Sequence, residues 1–180
     1  MKNIFITLRL LAVMTVLTGI LYPLSLLAVA RFFPAQAGGS VIMHQGRLVG
    51  SALLAQKNES PRFFQPRPSA ADYATLPSGA SNLGPTSAVL ARAIAERRAF
   101  WGPDAPVELL MTSGSGLDPH LSPEAAAFQA SRVAEARGVP EAGVLELIKK
   151  LTEGPQFGFL GEPRVRILEL NLALDDSGNP

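Results

Sequence analysis

The chain has no cysteine among its 180 residues. That excludes disulfides, cysteine-based zinc sites and thiol nucleophiles. Histidine is scarce. His44 and His120 are the only two, far apart and without the His-Glu-x-x-His spacing of a metalloprotease. The dipeptide Gly-Lys does not occur, so no nucleotide-binding P-loop can be written. Gly114-Ser115-Gly116 lacks the third glycine of a dinucleotide fingerprint. Ser113 and Leu117 stand where a Gly-x-Ser-x-Gly elbow needs glycines. Charge is also sparse, at 17% of residues. From residue 32 onward there are 13 Lys plus Arg against all 15 Asp plus Glu, a net of −2. A balanced, slightly acidic domain gives no footprint for nucleic acid. Internal repeats and low-complexity segments are absent as well.

Long hydrophobic runs are missing everywhere except in one place. Leu10 to Ala30 reads LLAVMTVLTGILYPLSLLAVA and holds no charge. Twenty-one residues of helix reach about 31 Å, close to the ~30 Å hydrocarbon thickness of a bilayer. A cleaved signal peptide is the competing reading, with Lys2 and Arg9 as its basic region and Ala35-Gln36-Ala37 as a small-residue cleavage site. The apolar run is longer than the roughly 7 to 15 residues of a signal-peptide core, which favours a retained anchor. Pro23 is compatible with a membrane helix at the cost of a local kink. Lys2 and Arg9 precede the span, and only Arg31 follows it before Arg47. The positive-inside tendency therefore predicts a cytoplasmic N-terminus and an external domain. The expected organisation is a cytoplasmic tail over 1–9, a transmembrane helix over 10–30, a linker over 31–40 and a soluble domain over 41–180.

Within the domain, VIMH and RLVGSALL flank Gln45-Gly46 and predict two short strands around a tight turn. Lys57 to Gly84 is a long proline-rich loop. Its aromatics Phe63, Phe64 and Tyr73 predict that it packs on the domain. Thr86 to Trp101 is predicted as a helix capped by Thr86 or Ser87. Val107 to Met111 reads as a short strand and Thr112 to His120 as a loop. Ser122 caps a second helix, with Pro123 in its first turn, ending at Gly138. Pro140 to Leu151 is a third helix. In Arg164 to Leu174, Leu168, Leu170, Leu172 and Leu174 alternate with Glu169, Asn171 and Ala173, which predicts a strand. Strands at both ends with helices between them predict a compact α+β domain behind one transmembrane helix.

Little of this carries chemistry. Ser113 or Ser115 with His120 and Asp118 forms a triad on paper. Three groups within one short loop rarely reach the required geometry. The alternative has the serines and glycines forming the turn, Asp118 holding the backbone ahead of Pro119, and Ser122 capping the next helix. Gln129 and Arg132 share a helix face. They read either as solvated surface or as polar contacts to a partner or ligand. Arg97 and Arg98 complement a helix C-terminus.

Blocks along most of the chain carry a resemblance. They are Thr18-Gly19-Ile20, Tyr22-Pro23, Gly50-Ser51, Phe63 to Ala70 (FFQPRPSA) and Ser78 to Pro85 (SGASNLGP). Ser113 to His120 (SGSGLDPH) follows, then Ser122 to Ala126 (SPEAA), Gln129, Arg132-Val133-Ala134, Gly161 to Val165 (GEPRV) and Leu170 to Leu174 (LNLAL). Together they resemble the C subunit of the Kdp-type potassium-transporting ATPase. Arg166 and Ile167 depart from that pattern, where Asn and Val are expected. The resemblance implies a non-catalytic accessory subunit of the bacterial inner membrane, supporting assembly and ATP binding by the complex. Its implied partners are a P-type ATPase subunit, a potassium-selective channel-like subunit and membrane lipid. It implies no cofactor of the chain's own, with ATP entering only through the complex. If the domain itself touched ATP or a partner, Ser113, Ser115, Asp118, Gln129 and Arg132 would be the groups to test. The other reading is an anchored extracytoplasmic enzyme or binding protein unrelated to ion transport.

Overall fold

A computed structural model describes residues 2–177. Residue 1 and residues 178–180, the outer ends of the expected tail and domain, lie outside the described residues. The chain divides into two units, Met1–Val41 and Ile42–Pro180.

In the first unit, helix α1 (Lys2–Val16) runs through a π-turn (Leu17–Leu21) into α2 (Tyr22–Ala30). Asn3–Ala30 forms one apolar helix of 28 residues, with mean hydropathy 2.2 over an 18-residue window, long enough to cross a bilayer. The π-turn has a local cause. Pro23 has no N–H to donate, and its ring presses on the carbonyl four residues back. The Tyr22 N–H just ahead of it bonds instead to Leu17, five back, which widens the turn. The expected kink thus takes the form of a π-turn. Thr18 donates to the Met14 carbonyl at 2.7 Å and Ser25 to the Tyr22 carbonyl at 2.7 Å. The hydroxyls are satisfied inside the helix, as a hydrocarbon environment demands. A single turn, α3 (Pro34–Ala37), follows in the expected linker.

The boundary falls after the first residue of β1 (Val41–His44), which forms a hairpin with β2 (Arg47–Ser51). Gln45 and Gly46 both have positive φ, 49° and 76°. That is the primed turn whose twist suits a two-residue hairpin loop. The helix α4 (Ala88–Trp101) is capped by the Ser87 hydroxyl, which accepts from Leu90 N. Val107–Leu110 is a one-turn helix, α5, and not the predicted strand. Its neighbours Leu109 and Leu110 are both buried, whereas a strand would send them to opposite faces. The short strand β3 (His120–Leu121) takes the last residue of the expected loop.

Helix α6 (Pro123–Arg137) begins at Ser122, whose hydroxyl accepts from Ala125 N, and ends at Gly138 in the left-handed region. Helix α7 (Glu141–Leu151) follows, then β4 (Thr152–Glu153), β5 (Arg164–Arg166) and α8 (Ile167–Ser177). The predicted strand over 164–174 is therefore a three-residue strand followed by a helix. LELNLAL satisfies two periods. The buried positions are Ile167, Leu170, Asn171 and Leu174, spaced i, i+3, i+4, i+7. The helical period wins because it puts Leu170 and Leu174 into the core while Leu168 and Leu172 stay half-buried. Strands order β3-β5-β4, antiparallel, with His120 opposite Arg166 and Glu153 opposite Arg164. The core joins Ala125, Ala126, Ala130 and Val133 of α6 to Val144 and Ile148 of α7 and Leu170 of α8, with Val165 and Phe64. Alanines on α6 let its neighbours approach closely.

Candidate functional site

The proline-rich loop after β2 contains a strap, Pro61 to Arg67 (PRFFQPR), laid against α6 and α8. Its prolines lack N–H groups, so it cannot join a β-ladder in the usual way. Phe64 is nonetheless fully buried. Its backbone polar groups need partners, because a buried unpaired N–H or C=O is costly. Side chains supply them. Asn171 accepts from Phe64 N at 2.8 Å and donates to Phe64 O at 3.0 Å. Gln129 accepts from Gln65 N at 2.9 Å and donates to Gln65 O at 3.0 Å. Two side-chain amides thus do for two successive residues what a neighbouring strand would.

Arginines hold the preceding carbonyls. Arg132 donates to Pro61 O at 2.7 Å, Phe63 O at 3.0 Å and the Gln129 side-chain oxygen at 2.8 Å. Arg137 donates to Arg62 O at 2.6 Å and pairs with Asp175 at 2.8 Å. The two guanidinium groups also lie over rings, Arg132 over Trp101 at 5.4 Å and Arg137 over Phe63 at 4.8 Å. Burial lowers the Arg132 pKa, yet an arginine starts high enough to stay charged. Five consecutive residues, 61–65, are gripped by four side chains from α6 and α8.

The loop after α5 meets the rest of the strap. Arg67 pairs with Asp118 at 3.2 Å, and Ser113 N donates to Pro68 O at 3.0 Å. Tyr73 donates its hydroxyl to Arg67 O at 2.9 Å. Burial, ahead of the Asp72 charge, pushes the Tyr73 pKa up, which keeps that donor protonated. Gly116, with φ 72°, passes so close to Gly79 that a Cβ there would sit 2.9 Å from the Gly79 oxygen.

Of the five residues singled out from the sequence, Gln129, Arg132 and Asp118 hold the strap, Ser113 N binds the residue just after it, and Ser115 holds its own loop. Gln129 is 1% exposed and both ends of its amide are used. Arg132 is half-buried. The solvated-surface reading of this pair is corrected: the backbone of a segment more than sixty residues away occupies them. The triad is not assembled. The Ser113 hydroxyl is buried without a hydrogen-bond partner among the described residues, and the Ser115 hydroxyl accepts from Leu117 N. Asp118 accepts from His120 N at 3.1 Å, holding the backbone across Pro119. His120 Nδ1 lies 3.5 Å from the same carboxylate. Burial, then the Arg164 charge, outweighs Asp118 and lowers the His120 pKa. Arg97 does more than face a helix dipole, donating to Leu110 O at 2.7 Å. Sequence reading did not single out Asn171 or Arg137. Asn171 was hidden by counting it as an outward strand residue.

Comparison with known proteins identifies the assembly in which such a domain works. The family model described as KdpC, the c chain of the K+-transporting ATPase, matches residues 4–176. The potassium-transporting ATPase KdpC subunit of Cereibacter sphaeroides is 47% identical over 173 residues, covering 93% of this chain and 94% of that one. The KdpC subunit of Kineococcus radiotolerans is 51% identical over 176 residues, covering 93% and 90%. That of Myxococcus xanthus is 50% identical over 192 residues, covering 100% and 91%. The strap, its amide clamps and the single apolar helix belong to a chain that is a member of the KdpC family, the c chain of the K+-transporting ATPase.

Proposed function

We propose that the chain is a non-catalytic accessory subunit of the potassium pump. In this reading the apolar helix anchors it in the inner membrane, with the N-terminus cytoplasmic and the α+β domain on the external side. The domain stabilises a complex of a P-type ATPase subunit and a potassium-selective channel-like subunit, over whose external mouth it sits. The observation that carries the non-catalytic part is the use already made of the polar groups. Gln129, Arg132, Arg137 and Asn171 hold the strap, and Asp118 holds Arg67 and His120 N.

ATP binds the catalytic partner, and the domain affects turnover through assembly. The Gln129 amide cannot reach a nucleotide without releasing Gln65. The flanking charges of the span support the external placement.

A tagged copy expressed with its neighbouring genes under potassium limitation tests the reading. Recovery of a P-type ATPase and a multi-span protein, with potassium-stimulated ATP hydrolysis, is the expected result. A full-length chain that purifies alone without ATPase activity would overturn it.

A further inference from the structure

Between β4 and β5 the chain leaves the sheet and returns as a finger. Its base is the antiparallel pair Thr152 opposite Val165 and Glu153 opposite Arg164. Glu153 fastens the base, lying 3.0 Å from Arg164 and 2.7 Å from Arg166. Further out, Gln156 and Leu160 bridge, with Gln156 N donating to Leu160 O at 2.8 Å. The tip between them presents Phe157 at 87% exposure and Phe159 at 76%, beside a half-exposed Leu160. Phe157 also has φ 54°, a conformation that bulky side chains rarely adopt. A phenylalanine that is both exposed and backbone-strained contributes nothing to its own domain that Gly or Asn would not supply better. Strain of this kind is retained where function needs the side chain.

We propose that the Phe157–Leu160 tip is a docking finger that seats in an apolar socket of another protein subunit of the assembly, with Phe157 and Phe159 as its anchors. This rests on the accessory-subunit reading and adds the contact surface to it. Charge selects protein over lipid. Membrane-surface segments pair their apolar groups with Lys or Arg and with Trp or Tyr at the headgroups. Gly154 to Gly161 carries no charge and no Trp or Tyr, and the first charge after it is Glu162. The arginines at the base are engaged by Glu153. Lys149 and Lys150 belong to the last turn of α7, before the hairpin begins. The charge next to the tip on its C-terminal side is Glu162, which fits a socket edged with a basic or hydrogen-bond-donating group. Buried aromatic anchors are the residues that dominate such interfaces.

The test uses the tagged full chain expressed with its neighbouring genes. Phe157→Asn relieves the positive φ, because Asn tolerates that region, and Phe159→Ser removes the second ring. The double variant is expected to keep or raise the thermal midpoint of the chain purified in detergent. Its partner recovery after dilution washes is expected to fall at least tenfold. In parallel, p-benzoylphenylalanine replaces Phe at position 157 or 159 and the membranes are irradiated. A polypeptide adduct supports the proposal. Undiminished partner recovery by the double variant, or adducts to lipid alone, would overturn it. If the unaltered chain itself recovers no partners, the accessory-subunit reading fails first, and the finger's assignment falls with it.

Discussion

Replacing Gln129 by Ala would leave the N–H and C=O of Gln65 without their partners. An orphaned buried polar group costs about 1–3 kcal/mol, so the loss expected for Gln129→Ala is roughly 2–4 kcal/mol. Urea denaturation of the full chain in detergent measures it. Gln129→Glu keeps the acceptor for Gln65 N and for Arg132 but loses the donor to Gln65 O. Its loss should be smaller than that of the alanine variant. In both variants, nucleotide affinity of the assembled complex should fall no further than the folded fraction does. A nucleotide-binding role for this amide would show the opposite: lost affinity at unchanged stability. Gly116→Ala is a second residue-scale case. Its φ of 72° and the 2.9 Å approach to Gly79 oxygen leave no place for a Cβ. The expected cost is about 1–3 kcal/mol, read in the same denaturation series.

At the scale of elements, the sheet carries a pH dependence with a definite sign. Burial pushes the Glu153 pKa up, but the hydrogen bond from Arg164 and the charge of Arg166 prevail and hold it below the usual carboxylate range. His120, on the far side of the central strand β5, is also lowered, chiefly by burial and the Arg164 charge. Both groups have depressed folded pKa values, so both bind protons more readily when unfolded. The stability they contribute is complete at neutral pH and is lost on acidification. The His120 part goes first, as pH falls through the ordinary histidine range. The Glu153 part follows as pH falls through and below the ordinary glutamate range. Glu153→Gln should flatten the lower limb of a plot of thermal midpoint against pH and steepen the upper one, because the Glu153 charge opposes the lowering of the His120 pKa; an unchanged lower limb would remove Glu153 from the account. These elements were unequally legible. Caps and turns were visible because Ser87, Ser122, Gln45-Gly46 and Gly138 act through local chemistry. The segment over 164–174 was not, because alternating leucines fit both periods and the helical one buries the polar Asn171. The pairing of Gln129 with Arg132 follows from helix spacing. What they hold, the backbone of 61–65, is set by tertiary packing over more than sixty residues, which no local pattern encodes.

For the whole molecule, the side of the membrane decides what the domain can touch. The apolar helix fits a membrane-anchored protein, and the charges Lys2 and Arg9 precede it. The domain that follows carries net −2 after residue 31, which neither draws it to an anionic surface nor bars its export. The absence of cysteine makes the question directly testable, since any cysteine introduced is the only one to label. Glu135→Cys and Glu146→Cys lie on exposed faces of α6 and α7, and Asn3→Cys lies at the N-terminal end of the apolar helix. In cells with a permeabilised outer membrane, a membrane-impermeant maleimide should modify the two domain positions before lysis and Asn3→Cys only after it. The reverse pattern would put the domain beside cytoplasmic ATP. It would then have to act on nucleotide binding at close range, and it would have to do so with groups other than Gln129, because Gln65 already occupies that amide on either side of the membrane.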